Sequence, residues 1–534
     1  MRKKAILSLF LALLLVFSLT ACSKTPDNQT QTTEALSSET PTEAAASETA
    51  PGTPPEGTLP EAPPDGNGNP GEMPPDGNGG PGGMPPDAPP DGNGGPGGMP
   101  PDAPPDGNGG PGGMPPAGNG VPGAPGGSSA NIDYKGAAEI TSAETQDGQS
   151  YTSGEADESA LLISTKETVT ITDPTVTKSG DSNGGDSCNF YGLNAAVLVK
   201  GGTTTTITGG TVNSNASGGN GVFCYGGNGG MNGAGGDGTT LYIRDTKIHT
   251  SGSGSGGIMT TGGGTTYAYD LDVTTEGQSS AAIRTDRGGG LVKVSGGSYT
   301  SNGLGSPAIY STAEIHVENA TLVSTLSEGV CIEGKNSIEL TNCDLTANNT
   351  KRNSNATFLD SIMIYQSMSG DADSGTSSFT MTGGSLTSKS GHVFHVTNTN
   401  AVITLNGVTI SNEDPAGILL SVCADGWKGA SNIAALNAVG QILQGAVKVG
   451  SDSRLTMKLT EGSAFEGSVD GNIVNAAGAS VSSDVGVVSV TLDESSTWTL
   501  TGDSYIREFH GSAANVISNG FTLYVNGEAL TGTK

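Results

Sequence analysis

Short alternations of apolar and polar residues recur along most of this chain, and they recur in register. In "FTMTGGSLTSKSGHVFHV", Phe379 to Val396, two such stretches flank a Gly-Gly pair. With Met381 as position 0, apolar residues fall at +5 (Leu386) and +15 (Val396), and a Gly falls at +2 (Gly383). The same spacing starts at Ile171, Ile207, Ile243, Ala268, Val294, Val317, Leu340 and Leu405. Position +5 then reads Val176, Val212, Ile248, Val273, Tyr299, Leu322, Leu345, Leu386 and Ile410, and position +2 contains only Gly, Asp and Asn. Seven frames share an apolar +15: Val222, Ile258, Ile283, Ile309, Ile332, Val396 and Leu420.

Alternation around position 0 predicts strands with one face inward, and a repeat of this length predicts stacked supersecondary units. Gly, Asp and Asn tolerate positive φ, so their column marks a corner between strands rather than a carboxylate site. A single unit cannot cover its own Ile and Val side chains, each of which gains about 1.5–3 kcal/mol only when neighbours bury it. A dozen rungs about 4.8 Å apart give a rod roughly 60 Å long. Ser182–Asn194, Gly226–Gly238 and Asn348–Thr357 read as insertions between frames. Further rungs are expected around Leu459 and Leu492, with "ISNGFTLYVNG", Ile517 to Gly527, closing the end. This pattern resembles the right-handed parallel β-helix of the pectate-lyase-like superfamily over residues 138–534. The resemblance implies an all-β solenoid and leaves function open, because the fold hosts lyases, hydrolases, adhesins and tailspikes.

The first 130 residues break the pattern. "MRKKAILSLFLALLLVFSLTAC" has a basic start and an apolar run from Ala5 to Leu19, a secretory signal rather than a membrane span. Leu19-Thr20-Ala21-Cys22 resembles the bacterial lipobox, which implies cleavage after residue 21, lipid on Cys22, and a location on the extracellular face of the cell membrane. Residues 22–130 are Thr/Ser/Glu-rich and then Pro/Gly/Asn-rich, with "PPDGNGGPGGMPPDA" recurring every 15 residues. Such a segment buries too little apolar surface to offset chain entropy, so it reads as a disordered stalk carrying a folded domain at 131–534.

The formal charge of -30 excludes nucleic acid as a natural partner and repels polyuronates unless a divalent cation bridges. Five cysteines follow Cys22 without a metal-ligand spacing, and they read as buried thiols. "MNGAGGDGTTL", Met231 to Leu241, echoes Ca²⁺-binding Gly/Asp repeats in one copy and reads as a Gly loop, with Ca²⁺ left open and no other cofactor expected. The catalytic motifs of polygalacturonase-like families (Asn-Thr-Asp, Gly-x-Asp-Asp, Gly-His-Gly, Arg-Ile-Lys) do not occur. Each of the five histidines is expected at the surface.

One column invites a functional reading. Position +16 points outward and contains Phe223, Arg284, Tyr310 and Glu333, and Tyr365 joins it once the insertion after Leu340 is allowed for. In a chain with 4% aromatics, rings beside Arg and Glu suit a glycan or protein ligand. The alternative is that the insertions fold over this stripe and bury it. "RTDRGGG", with Arg284 and Asp286, is the best enzymatic candidate, for a lyase or glycosidase. A surface-anchored binding or adhesion protein, an enzyme and a structural spacer are the three functions left open.

Overall fold

A computed structural model describes residues 132–228, 235–428 and 431–534. The signal peptide, Cys22 and the stalk lie outside the described residues. The described chain is an all-β right-handed parallel β-helix. Three long parallel sheets carry it: one of 13 strands from Lys135–Ile140 to Val469–Asp470, one of 14 from Glu144–Asp147 to Glu508–His510, and one of 10 from Ser150–Ser153 to Thr409–Asn412. The only α-helix among the described residues is one turn and a half, Asp186–Tyr191.

The position 0 column is a ladder column of the second sheet. Ile171, Ile207, Ile243, Ala268, Val294, Val317, Leu340, Met381 and Leu405 pair in succession, and the column continues through Ala438, Leu459 and Leu492. The +5 column is the matching ladder of the third sheet, from Val176 to Ile410. Both columns point into one continuous apolar core.

The corner column behaves as its composition predicts. Asp173, Asp245, Asp270, Asn319 and Asn342 have φ between 47° and 55°, and the glycines in the same column are also positive. At two corners the need for Gly follows from stacking. A Cβ on Gly209 would lie 2.0 Å from Asp173 Oδ1 on the rung below, and one on Gly296 would lie 2.0 Å from Asp270 Oδ1. At these two corners the carboxylate folded over from the rung below leaves room only for hydrogen, whereas Asp270 follows Asp245 on the next rung without such a limit.

The +15 column is different. Ile309 pairs with Val330, not Ile332, and Ile332 pairs with Ile364 and then Val396. The turn between Thr321–Ser324 and Val330–Glu333 is two residues shorter than the turn before it, between Ser298–Ser301 and Ile309–Ser311. The uniform spacing therefore slips by two at that rung, stays displaced through Val396, and returns at Leu420, which pairs with Phe394. Because two residues restore the pleat, every side chain keeps its face.

Near the C-terminal end the third sheet stops at Thr409–Asn412, and a separate four-stranded sheet begins with Ile442–Gln444. Buried Gln441 bridges the break: its amide accepts from Val408 N–H (2.8 Å) and donates to the Val408 carbonyl (2.6 Å). The rod closes on an antiparallel pair, Leu523–Val525 with Glu528–Ala529, which ends a parallel stack without leaving a long open edge.

Candidate functional site

The outer face of the first sheet is where the insertions gather. Phe223, Arg284 and Tyr310 share one outward ladder column, which runs from Phe223 through Met259 to Arg284, Tyr310 and Cys331. Glu333 and Tyr365 belong to the adjacent outward column, paired with each other and with Thr397. The single stripe expected from spacing is thus two parallel stripes, displaced by the short turn.

Phe223 does not reach the ligand-accessible part of this face. It is fully buried with Leu162, Leu198, Tyr225 and Met259 beneath the helix Asp186–Tyr191. The helix is pinned there: Thr261 Oγ1 donates to the Phe190 carbonyl (2.6 Å), and Tyr134 donates to the Tyr191 carbonyl (2.9 Å). Burial of this residue answers one half of the sequence question in favour of a covering loop.

The other four residues line a cleft of about 600 Å³ on the same face. Its floor is Arg284, Tyr310, Cys331, Glu333, Met363 and Tyr365. Its walls are the 184–190 segment, the turn at 305–307, and loops 353–356 and 367–371, with the Trp427 ring 4.9 Å from the Tyr365 ring and tilted 54° to it. Arg284, Tyr310, Glu333 and Tyr365 are therefore brought together. Asp286, Arg287, Glu328, Asp371 and Trp427 complete the set.

The cleft is built on buried polar contacts. Arg284 Nη2 meets Asp286 Oδ2 at 2.6 Å, and its Nη1 donates to Asn189 Oδ1 (3.3 Å) and the Ser279 carbonyl (3.1 Å). Arg287 Nη2 meets Asp371 Oδ1 at 2.6 Å while the guanidinium lies 4.3 Å over the Phe190 ring. Four hydroxyls converge on Glu333: Tyr310 (2.5 Å) and Tyr365 (3.2 Å) on Oε2, Ser367 and Ser369 on Oε1. Burial pushes the Glu333 carboxyl above its ordinary value, against the lowering effect of the Ser367 and Tyr310 hydroxyls. Burial, and then the Glu333 charge, push both tyrosines well up. Glu328 is raised by burial, and Asp360 by burial and the Glu328 charge.

Burial also pushes Asp286 up to about 6, although Arg284 beside it acts in the opposite direction. A carboxyl raised in the folded state contributes stability that is fully present below its unfolded value, here 3.8, and lost as pH rises through about 6. The shift corresponds to roughly 3 kcal/mol at most. Urea midpoints are expected to fall between pH 4 and pH 6, and Asp286→Asn should flatten that slope even if its absolute stability is lower, because Arg284 then lacks its counter-charge. An unchanged slope in the variant assigns the pH dependence to other groups.

Beside the cleft lies a second polar cluster that the spacing did not reveal. His392 Nδ1 and His395 Nδ1 each stand 2.7 Å from Ser421 Oγ, and His395 Nε2 faces Asp425 Oδ2 at 3.4 Å. Burial drives His392 down to about 3. Burial alone would raise Asp425, but His395 and the Thr357 N–H hold it below the usual range. The surface expectation is corrected for both histidines: the loops carrying Phe358 and Cys423 cover them, and Phe358 packs 4.7 Å from the His395 ring. His249, His316 and His510 do face solvent, and His316 sits between Glu314 and Glu339. Cys188, Cys224, Cys331, Cys343 and Cys423 are all buried free thiols.

Among the described residues no three His, Cys, Asp or Glu side chains are grouped as a metal site requires. Residues 229–234, which include the first four of the eleven residues of the Gly/Asp echo, lie outside the described residues, while Asp237 accepts from the Thr239 N–H (2.9 Å) and hydroxyl (2.6 Å). Of the cleft residues that spacing missed, Cys331 and Met363 lie on strands of the floor and the others on turns, loops and the short helix. Asp371 and Trp427 sit in loops with no ladder position, and the only sequence signal for them was the irregular length between frames. Comparison with family models, with curated proteins and with solved structures gives no match for this chain.

Proposed function

We propose that this is a secreted bacterial lipoprotein, anchored through Cys22 and carried on a flexible stalk, whose pectate-lyase-like β-helix binds a glycan at the cell surface. The observation that carries the reading is the cleft: ring surfaces from Tyr310, Tyr365 and Trp427 beside carboxyl, amide and hydroxyl groups from six segments of chain. Rings supply apolar faces for sugar rings, and the polar groups supply directional bonds to hydroxyls. Incubating the purified protein with neutral and acidic polysaccharides, with and without Ca²⁺, tests it. Retention without cleavage is the expected result, and no retention of any glycan overturns it.

A second reading, a glycosidase or lyase, rests on the raised carboxyls. Burial raises Asp286 to about 6 and Glu333 above its ordinary value, the direction in which a general acid is tuned. New reducing or unsaturated ends in the same incubation support it. A spacer without ligand is the outcome if neither appears.

The anchor has its own test. Cys22→Ala is expected to abolish incorporation of labelled fatty acid and to leave a chain of altered processed mass. Unchanged labelling and mass place the anchor elsewhere.

A further inference from the structure

We propose that the cleft selects uncharged glycans and rejects uronates. The inference rests on the glycan reading and concerns which class of sugar enters. A sugar carboxylate needs an available cation where it docks. Among the residues lining the cleft only Arg284 and Arg287 are basic, whereas Asp186, Asp286, Glu328, Glu333 and Asp371 are acidic.

Both guanidiniums are already matched. Arg284 is held by Asp286 at 2.6 Å and by Asn189 and the Ser279 carbonyl, and it is itself 7% exposed. Arg287 is held by Asp371 at 2.6 Å with its flat face on Phe190. Each pair is neutral, so what remains in the cleft is one exposed carboxylate, Asp186, and two buried carboxyls, Glu328 and Glu333, that become negative on ionisation. An incoming carboxylate would lose its hydration without gaining a counter-charge, and it would also raise the cost of ionising Glu333. A hydroxyl meets no such barrier. It can donate to carboxylates and accept from the amides of Asn353 and Asn355 at the wall. The matched arginines therefore act as rigid walls rather than as anion receptors.

The test compares short ligands, so that the charge of the whole chain does not decide the result. Calorimetric affinities of the full-length protein are measured for pentamers of β-1,4-linked glucose, xylose and mannose and for pentagalacturonate, at pH 7 and at 0.15 and 0.5 M salt, the higher salt screening long-range repulsion. At least one neutral pentamer is expected to bind at least tenfold more tightly than pentagalacturonate at both salts. Asp371→Asn removes the counter-charge of Arg287 and is expected to raise the galacturonate-to-neutral affinity ratio at least tenfold. Should this variant fail to give a native melting curve, Asp186→Asn, on the exposed helix, is expected to raise the ratio two- to threefold. Pentagalacturonate binding as tightly as the neutral pentamers, or a ratio unmoved in the folded variant, overturns the inference while leaving glycan binding intact. No binding of any pentamer removes the glycan reading itself.

Discussion

Val317→Asp is expected to unfold the β-helix, and Glu318→Ser, one residue away, to leave it unchanged. Val317 is 2% exposed, stacked between Val294 and Leu340 in the column that fills the core. An aspartate there loses the burial of the valine, worth about 1.5–3 kcal/mol, and places a carboxylate among Ile, Val and Leu with no partner. The combined cost is about 4 kcal/mol or more, a large share of ordinary domain stability. Glu318 lies at the exposed end of the same strand, Glu314–Glu318, and pairs between Ser295 and Thr341. Its replacement should fall within about 0.5 kcal/mol. Urea midpoints of the two variants decide the matter, and equal shifts would mean that the inward and outward faces are misassigned.

The contrast between those neighbours shows which features were legible in the sequence. Inward ladder positions repeat one requirement, an apolar side chain of fitting size, on every rung. Corner positions repeat another, tolerance of positive φ. Repetition made both visible without any knowledge of the ligand. The outward face carries no repeated requirement, so its residues differ from rung to rung, and a fixed spacing misplaced Glu333 and Tyr365 by one outward column. The slip came from a turn two residues short, which an inward column of interchangeable Ile and Val absorbs without trace. Asp371, Trp427 and Asp425 were harder still, because they depend on how segments outside the ladders fold back over the sheet, whereas the partners of Asp425, His395 and Ser421, are paired on adjacent strands of the first sheet. The contacts span 26 to 84 residues: Arg287 and Asp371 are 84 apart, and His395 and Ser421 are 26 apart. Only three-dimensional packing brings Asp371, Asp425 and Trp427 to the sheet.

Replacing Phe223, Tyr310 and Tyr365 together by Ser is expected to prevent the domain from folding rather than only to abolish binding. Phe223 is fully buried beneath the helix Asp186–Tyr191, and its loss alone should cost about 3–5 kcal/mol by the usual scale for a large buried ring. Tyr310 and Tyr365 belong to a separate cluster with Cys331, Met363 and Trp427, so their costs should largely add to the first. Their removal also strips two of the four hydroxyl donors from buried Glu333, at about 1–3 kcal/mol for each bond left unmade. The total is on the order of 10 kcal/mol, comparable with the whole stability of a domain. A double change of Tyr310 and Tyr365 to Phe separates packing from hydrogen bonding. It keeps both rings in the cluster with Cys331, Met363 and Trp427, should remain folded with a lower melting temperature, and should push the Glu333 carboxyl further up as burial loses its opposition. Thermal melting and the pH dependence of the urea midpoint report the two effects. A triple Ser variant that melts like the native protein would show that these rings stand free on the surface, and the covered cleft would then be the wrong description of this face.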